Sequence, residues 1–230
     1  MRQIVITVTL LIILSAVDAT AETRQLTFSD FDELSVASGT RVSINQGALY
    51  CIEAIGSAAD LDRLRVGHQG NRLTFRIESG FWGFFPAGHI DLNITLPALR
   101  KVELSRGSIG TLDVQRGSTP FAAALSGGSR LSGQVAFGDI ALSLSGGSRV
   151  GLSGTGHSLV LDGSGGSRYE LKNLPVKDVT SSLSGGSLAT VTLNGGLNAN
   201  LSGGSQITYF GNAALGAVRV SGGSSVHKGL

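Results

Sequence analysis

The tetrapeptide Ser-Gly-Gly-Ser recurs six times in the C-terminal half of this 230-residue chain. The copies begin at Ser126, Ser145, Ser164, Ser184, Ser202 and Ser221, at intervals of 18 to 20 residues. A degenerate copy, Ser-Arg-Gly-Ser, begins at Ser105, 21 residues before the first. Such even spacing indicates a structural repeat, in which each unit stacks on its neighbours because it cannot bury its apolar face alone.

Apolar residues alternate with polar or small residues on both sides of each motif. A period of two predicts β-strands with one buried face, so each repeat is a pair of short strands joined by a bend. The predicted inward residues before the motif are Ile140, Leu142, Leu144, Leu159, Leu161, Val179, Leu183, Leu197, Ala199, Leu201, Val218 and Val220. Those after it are Leu131, Val135, Val150, Leu152, Tyr169, Leu171, Ala189, Val191, Leu193, Ile207 and Tyr209.

The two glycines of each motif are interpreted as the structural bend. Glycine adopts positive φ without steric cost, which lets the chain turn a corner within two residues. The flanking serines can hydrogen-bond the backbone that the corner leaves unpaired. The bend residues are Gly127, Gly128, Gly146, Gly147, Gly165, Gly166, Gly185, Gly186, Gly203, Gly204, Gly222 and Gly223.

These patterns predict an all-β chain folded as a right-handed parallel β-helix, that is, a solenoid in which each repeat is one coil. The alternative is an antiparallel β-sandwich, which also has turns every eight to twelve residues. Residues 101–230 form the predicted solenoid. Residues 22–100 lack the motif and are expected to be a strand-rich N-terminal cap of the same domain, with predicted strands and one short helix at 58–64.

The N-terminus has the pattern of a cleaved signal peptide. Arg2 gives a basic start, Ile4 to Leu14 is an uncharged apolar run, and Ala19-Thr20-Ala21 fits a cleavage site. We therefore expect residues 1–21 to be removed after Ala21 and the protein to be periplasmic or extracellular. The apolar run is too short for a transmembrane helix and no later stretch is long enough, so no membrane span is expected after cleavage.

Charge and cysteine content narrow the function classes. The formal net charge is +2 with only 15% charged residues, which argues against a nucleic-acid partner. Cys51 is the only cysteine, so it excludes an intrachain disulfide. Its apolar neighbours Tyr50 and Ile52 predict a buried small hydrophobic side chain.

No motif for catalysis, a cofactor or a metal ion is found. The serines lack a strained nucleophile turn, and the glycines lack a phosphate-binding pattern. The histidines, His68, His89, His157 and His227, have no metal-ligand spacing. We therefore predict no catalytic residues, no cofactor and no metal, and a non-enzymatic binding, adhesion-like or structural role.

An enzyme that acts on polysaccharides is the alternative function. Parallel β-helices often carry such activities, and glycosidases use two carboxylates that face each other. Asp162 and Glu170 flank one bend and are the pair that could do this.

Two surface features are candidate binding sites. Arg130, Arg149 and Arg168 each follow the motif in consecutive repeats and should stack as a basic ladder that binds an acidic glycan or a lipid headgroup. The aromatic segment Phe81, Trp82, Phe84 and Phe85 either plugs the solenoid mouth or binds sugar, membrane or another envelope protein. The open C-terminal coil could also join copies into a homo-oligomer, with His227 and Lys228 discouraging uncontrolled stacking.

The chain resembles a family of bacterial exported proteins described as putative auto-transporter adhesin, head GIN domain. The resemblance rests on Phe28-x-x-Phe31-x-x-Leu34-x-Val36, Val42-x-Ile44-x-Gln46-Gly47, Ile94-Thr95-Leu96-Pro97 and the serine-glycine repeats that end near Gly211. It implies a β-helical fold and export, and it supplies no catalytic residues.

Overall fold

The computed structural model describes residues 21–78, 89–115 and 119–230, which form two long β-sheets and one short helix. The first sheet has eleven strands, in spatial order β1 (Glu22–Gln25), β4 (Cys51–Gly56), β7 (Asp91–Leu96), β3 (Arg41–Gln46), β9 (Ile109–Gln115), β11 (Arg130–Ala136), β13 (Arg149–Thr155), β15 (Arg168–Val176), β17 (Leu188–Leu193), β19 (Gln206–Phe210) and β21 (Ser225–Lys228). The second has ten, in order β20 (Ala214–Val220), β18 (Gly196–Leu201), β16 (Asp178–Leu183), β14 (Ser158–Gly163), β12 (Asp139–Leu144), β10 (Phe121–Leu125), β8 (Lys101–Leu104), β2 (Glu33–Val36), β6 (Arg72–Ile77) and β5 (Leu64–Gln69).

From β7 onward, successive strands alternate between the two sheets, so that each coil contributes one strand to each. From β10 to β19, every strand pairs in parallel with the strands two places before and after it in the chain. The prediction of a parallel β-solenoid is confirmed. The alternative of an antiparallel sandwich is wrong, because strands two places apart in the chain are neighbours in one sheet and run in the same direction.

The core lies between the two sheets as a continuous column of apolar side chains. Every inward residue that the alternation predicted between Leu131 and Tyr209 is buried. Val218 and Val220 in the last coil are the exceptions, since Val218 is half-buried and Val220 is 45% exposed. Their strand, β20, is an edge strand, so no further described coil covers it.

One coil fills the core differently from its neighbours. Gly163 occupies a row that contains leucine in the coils on either side of it, namely Leu104, Leu125, Leu144, Leu183 and Leu201. Across the core from this row, Tyr169 is fully buried and donates its hydroxyl to the Asp162 carbonyl. Burial raises the pKa of the Tyr169 hydroxyl well above its usual range, and the nearby Asp162 charge adds to the shift. The missing side chain at Gly163 therefore makes the room that the tyrosine ring fills.

The Ser-Gly-Gly-Ser bends stack directly on one another. Both glycines of every motif have positive φ, for example 61° at Gly127 and 75° at Gly128. The Gly128 amide donates to the Gly146 carbonyl of the next coil at 2.9 Å, and the Gly147 amide donates to Gly165 in the same way. Two successive residues with positive φ require glycine in most coils, and the inter-coil bonds pair the backbone of the bend.

The two serines of each motif have different roles. In every motif but the last, the fourth-position serine is buried, and its hydroxyl donates to the carbonyl of the first-position serine, as Ser148 does to Ser145 at 2.7 Å. The same bond is present at Ser129, Ser167, Ser187 and Ser205. In the last motif Ser224 is half-buried, and its hydroxyl accepts from the Ser205 amide at 3.0 Å. The first-position serine is exposed or half-buried. The fourth serine therefore closes the bend, while the first faces solvent.

We expect Ser148→Ala to lower the thermal unfolding midpoint by about 2–4 °C, because it removes a hydrogen bond worth about 1 kcal/mol in a buried bend. Differential scanning calorimetry would measure the change. Ser145→Ala, in the same bend, is the matched control and should leave the midpoint almost unchanged, since its hydroxyl is at the surface. Equal shifts for the two variants would contradict the division of roles.

The order of coils along the axis differs from their order in the chain. The first coil, β2 and β3, pairs on one side with β8 and β9 and on the other with β6 and β7. Beyond β7, the antiparallel strands β4 and β1 complete the first sheet, and β5 pairs antiparallel with β6 at the end of the second. The N-terminal region thus adds antiparallel strands at one end of the parallel stack.

Within the described ranges the one helix, α1 (Ala58–Arg63), links β4 to β5 where the sequence predicted a helix. The Ser57 hydroxyl accepts a hydrogen bond from the Asp60 amide at 3.2 Å and so caps its first turn. Leu61 is buried and anchors the helix to the core. The described part of the chain holds no helix long and apolar enough to cross a membrane.

The prediction that Cys51 is buried is wrong. Its thiol is exposed and lies 4.0 Å from the side-chain oxygen of Gln25. In β4 the inward positions are Ile52 and Ala54, so the cysteine between Tyr50 and Ile52 points to the outer face. The apolar neighbours in sequence did not fix which side of the strand faces the core.

Candidate functional site

The three predicted arginines form a ladder on the outer face of the eleven-stranded sheet. Arg130, Arg149 and Arg168 are the first residues of β11, β13 and β15, and they are partners in the parallel register. All three side chains are exposed. Neighbouring strands are about 4.8 Å apart, so three positive charges are aligned along the solenoid axis. Below, these three residues are called the arginine ladder.

The three ladder arginines have no acidic partner among the described residues, whereas most of the basic residues of the N-terminal region do. In the N-terminal region, Arg24 pairs with Asp62 at 2.7 Å, and Arg72 pairs with Glu33 and Glu103 at 3.4 and 3.0 Å. Arg41, Arg63, Arg65, Arg100 and Lys101 also have carboxylate partners. Like charges on adjacent strands repel each other, so the ladder carries an uncompensated electrostatic cost.

A shallow depression of about 760 Å³ lies beside the ladder on the same sheet. Gly133 and Gly151 line the depression and have no side chains to fill it. Glu170, Lys172 and Asn173 also line it. The register of β15 shifts between Leu171 and Pro175, so Lys172 and Asn173 lie in an irregular part of the strand, without register partners in β17. The Lys172 ammonium lies 3.9 Å from the centroid of the Phe210 ring, a cation–π contact that holds its side chain.

Asp162 and Glu170 are not brought together. Asp162 is exposed on β14 of the ten-stranded sheet, whereas Glu170 is exposed on β15 of the eleven-stranded sheet. Buried residues flank each carboxylate in its strand, so both side chains point away from the core in opposite directions. This pair cannot act on one glycosidic bond, because a bend moves the chain from one sheet to the other between the two residues.

The remaining predicted features have plain locations. Two predicted features lie outside the described residues. They are the signal peptide up to residue 20 and the aromatic segment of Phe81, Trp82, Phe84 and Phe85. Among the described residues no three metal-ligating side chains form a cluster.

The last coil ends in edge strands β20 and β21, with Leu215 and Val220 exposed by 55% and 45%. Association of copies through this coil stays a prediction.

Sequence reasoning missed a groove of about 580 Å³ on the outer face of the ten-stranded sheet. The first-position serines of five consecutive bends line it, together with Glu103, Ser143 and Asp162 from the strands. The signal was present in the sequence, because Ser143 and Asp162 each lie two residues before a motif serine and therefore on the same face.

Comparisons with known proteins agree on the fold. A family profile described as "Putative auto-transporter adhesin, head GIN domain" matches residues 30–213. Among solved structures, a putative adhesin from Bacteroides fragilis NCTC 9343 is similar with a TM-score of 0.82 and 16% identity, over 91% of this chain and 97% of that one.

Two further solved structures are similar. A putative lipid binding protein from Parabacteroides distasonis ATCC 8503 has a TM-score of 0.71 and 14% identity, over 93% of this chain and 98% of its own. A putative adhesin from Parabacteroides merdae ATCC 43184 has a TM-score of 0.67 and 15% identity, with the same coverage. No curated protein sequence matches the chain.

Proposed function

Since the chain belongs to the family described as putative auto-transporter adhesin, head GIN domain, we propose that it is an exported, non-enzymatic, adhesion-like β-solenoid that binds an acidic glycan through the arginine ladder. The observation that carries this proposal is the register of Arg130, Arg149 and Arg168 without any acidic partner among the described residues. Export is inferred from the basic, apolar and small-residue pattern of residues 1–21.

The chemistry of the ladder suits a chain of carboxylates. A guanidinium group binds a carboxylate through two parallel hydrogen bonds, which are stronger than bonds between neutral groups. A polymer with one carboxylate on each sugar presents anions at regular intervals along its length. When such a chain lies along the solenoid axis, it offsets the repulsion between the stacked arginines.

The hydrogen-bond acceptors and the depression beside the ladder favour a glycan over a lipid surface. Glu170 lies two residues after Arg168 on the same outer face. Asp113 is also exposed, and it is the register partner of Gln134, which lines the depression. These carboxylates can accept hydrogen bonds from sugar hydroxyls, which a layer of lipid headgroups does not supply at regular intervals. The depression beside the ladder gives a sugar ring a place to lie.

We expect the triple variant Arg130→Ala/Arg149→Ala/Arg168→Ala to weaken binding to oligogalacturonate by at least about tenfold, because each charge-assisted hydrogen bond stabilises the complex by more than a neutral one. Isothermal titration calorimetry at constant ionic strength would measure the dissociation constant. The wild-type affinity should also fall as salt is raised, since the ladder is exposed.

The matched control removes three other exposed cations, Arg76, Lys177 and Arg219, and so changes the net charge by the same amount. This control should bind almost as the wild type does. Equal losses in both variants would show a general charge effect, and failure of the wild type to bind any uronic-acid oligomer would overturn the proposal.

A further inference from the structure

The groove on the ten-stranded sheet is built from two parallel rows of outward side chains. One row contains the first-position serines Ser105, Ser126, Ser145, Ser164 and Ser184, which come from successive bends. The other row lies two residues earlier in each strand and contains Ser35, Glu103, Ala124, Ser143, Asp162 and Ser182, which are register partners. Both rows repeat at the strand spacing of about 4.8 Å along the axis.

The hydroxyls at the centre of the groove are free to bind a ligand. Within the described part of the chain, the Ser126, Ser145 and Ser164 hydroxyls make no hydrogen bond, whereas the buried fourth-position serines of the same bends all do. In these three motifs the bend accounts for the fourth-position serine but not for the first, whereas at the end of the groove the Ser184 hydroxyl donates to the Gly163 carbonyl at 3.4 Å. Each free hydroxyl can donate one hydrogen bond and accept two.

The charge of the groove is opposite to that of the arginine ladder. Of the described residues that line it, none is basic. Glu103 is neutralised by Arg72 and Lys101, whose side chains approach it within 3.0 and 2.7 Å. Asp162 has no ion-pair partner among the described residues, so it remains an acceptor that repels anions and accepts hydrogen bonds from hydroxyls.

We propose that this groove binds an uncharged, linear oligosaccharide that lies parallel to the solenoid axis. The sugar hydroxyls exchange hydrogen bonds with Ser126, Ser145 and Ser164 and donate to the Asp162 carboxylate. The site is independent of the arginine ladder, because the two lie on opposite sheets with the core between them. The solenoid thus presents one face to an acidic glycan and the other to a neutral one.

Amide chemical-shift titration of the full-length mature chain tests this proposal, with neutral linear hexasaccharides of glucose, mannose, xylose and galactose as probes. At least one probe should shift the amides of the first-position serines and of Asp162. The variant Ser126→Ala/Ser145→Ala/Ser164→Ala should weaken that binding at least about fivefold, because it removes several hydrogen bonds at once. Asp162→Asn, which keeps the shape of the side chain, should weaken it as well.

Two controls separate the groove from the rest of the molecule. Ser43→Ala/Ser132→Ala/Ser153→Ala removes three hydroxyls from the other sheet and should bind the neutral probe as the wild type does. The arginine-ladder triple variant should also bind it normally, even if acidic-glycan binding is lost or never observed. The proposal is overturned if no neutral probe shifts a groove amide, or if the arginine variant loses the neutral ligand.

Discussion

Replacing Gly154 with alanine is expected to destabilise the solenoid by at least about 3 kcal/mol, among the larger effects that a single methyl group can have. Gly154 lies in β13 with φ of 122°, a conformation that side chains rarely adopt. A Cβ atom built there would lie 1.8 Å from the Val135 carbonyl oxygen of the preceding coil. The Val135 backbone cannot move away from the new Cβ atom without breaking hydrogen bonds between β11 and β13. The variant therefore keeps the steric strain or loses part of the strand pairing.

Thermal unfolding followed by circular dichroism would measure this effect as a fall of roughly 10 °C in the midpoint. Gly151→Ala is the matched control, because it lies in the same strand without positive φ and its added Cβ would meet only ordinary contacts with Glu170 at 3.9 Å. A midpoint for Gly154→Ala that is close to that of the control would show that the backbone there is not constrained.

The second large effect is expected at the pair formed by Gly163 and Tyr169. Gly163→Leu restores leucine to its row, yet the new Cβ would lie 2.8 Å from Leu183 Cδ2 and 3.0 Å from the Tyr169 ring. Overpacking of this kind costs about 1–3 kcal/mol. Tyr169→Val alone leaves a cavity beside Gly163 and removes a buried hydrogen bond, with a cost of about 3–5 kcal/mol.

The double variant Gly163→Leu/Tyr169→Val should be more stable than Tyr169→Val alone, since the leucine fills the space that the ring left. This arrangement already exists one coil earlier, where Leu144 and Val150 occupy the corresponding positions. A double-mutant cycle in urea should give a coupling energy of about 2 kcal/mol in favour of the pair. Simple additivity of the two single changes would refute the account of complementary packing.

The repeat made the solenoid predictable because its signals are local. The Gly-Gly pair sets the backbone of the bend, and alternation from Leu131 to Tyr209 sets the buried face. Neither depends on which distant segments meet. The same reasoning located α1, whose cap and apolar Leu61 lie within one turn of each other.

Other features depend on contacts that no local pattern encodes. Nothing near β6 indicates that it pairs with β2 on the side opposite to β8, because the N-terminal region lacks the repeat. The two serines of each motif are the same residue type, yet they differ in burial and in hydrogen bonding. Asp162 and Glu170 looked like neighbours around one bend, but the bend sends them to opposite sheets. The arginine ladder could be predicted, since register follows directly from the repeat.

The place of β2 and β3 inside the stack has a consequence for how the molecule can be shortened. Cleavage near the C-terminal end that releases β20 and β21 breaks one interface between coils and leaves a new edge formed by β18 and β19. Loss of β2 and β3 breaks two interfaces and separates β6 and β7 from the rest of the solenoid. Proteolytic trimming can therefore proceed coil by coil from the C-terminal end, whereas removal of the coil formed by β2 and β3 divides the stack into two parts.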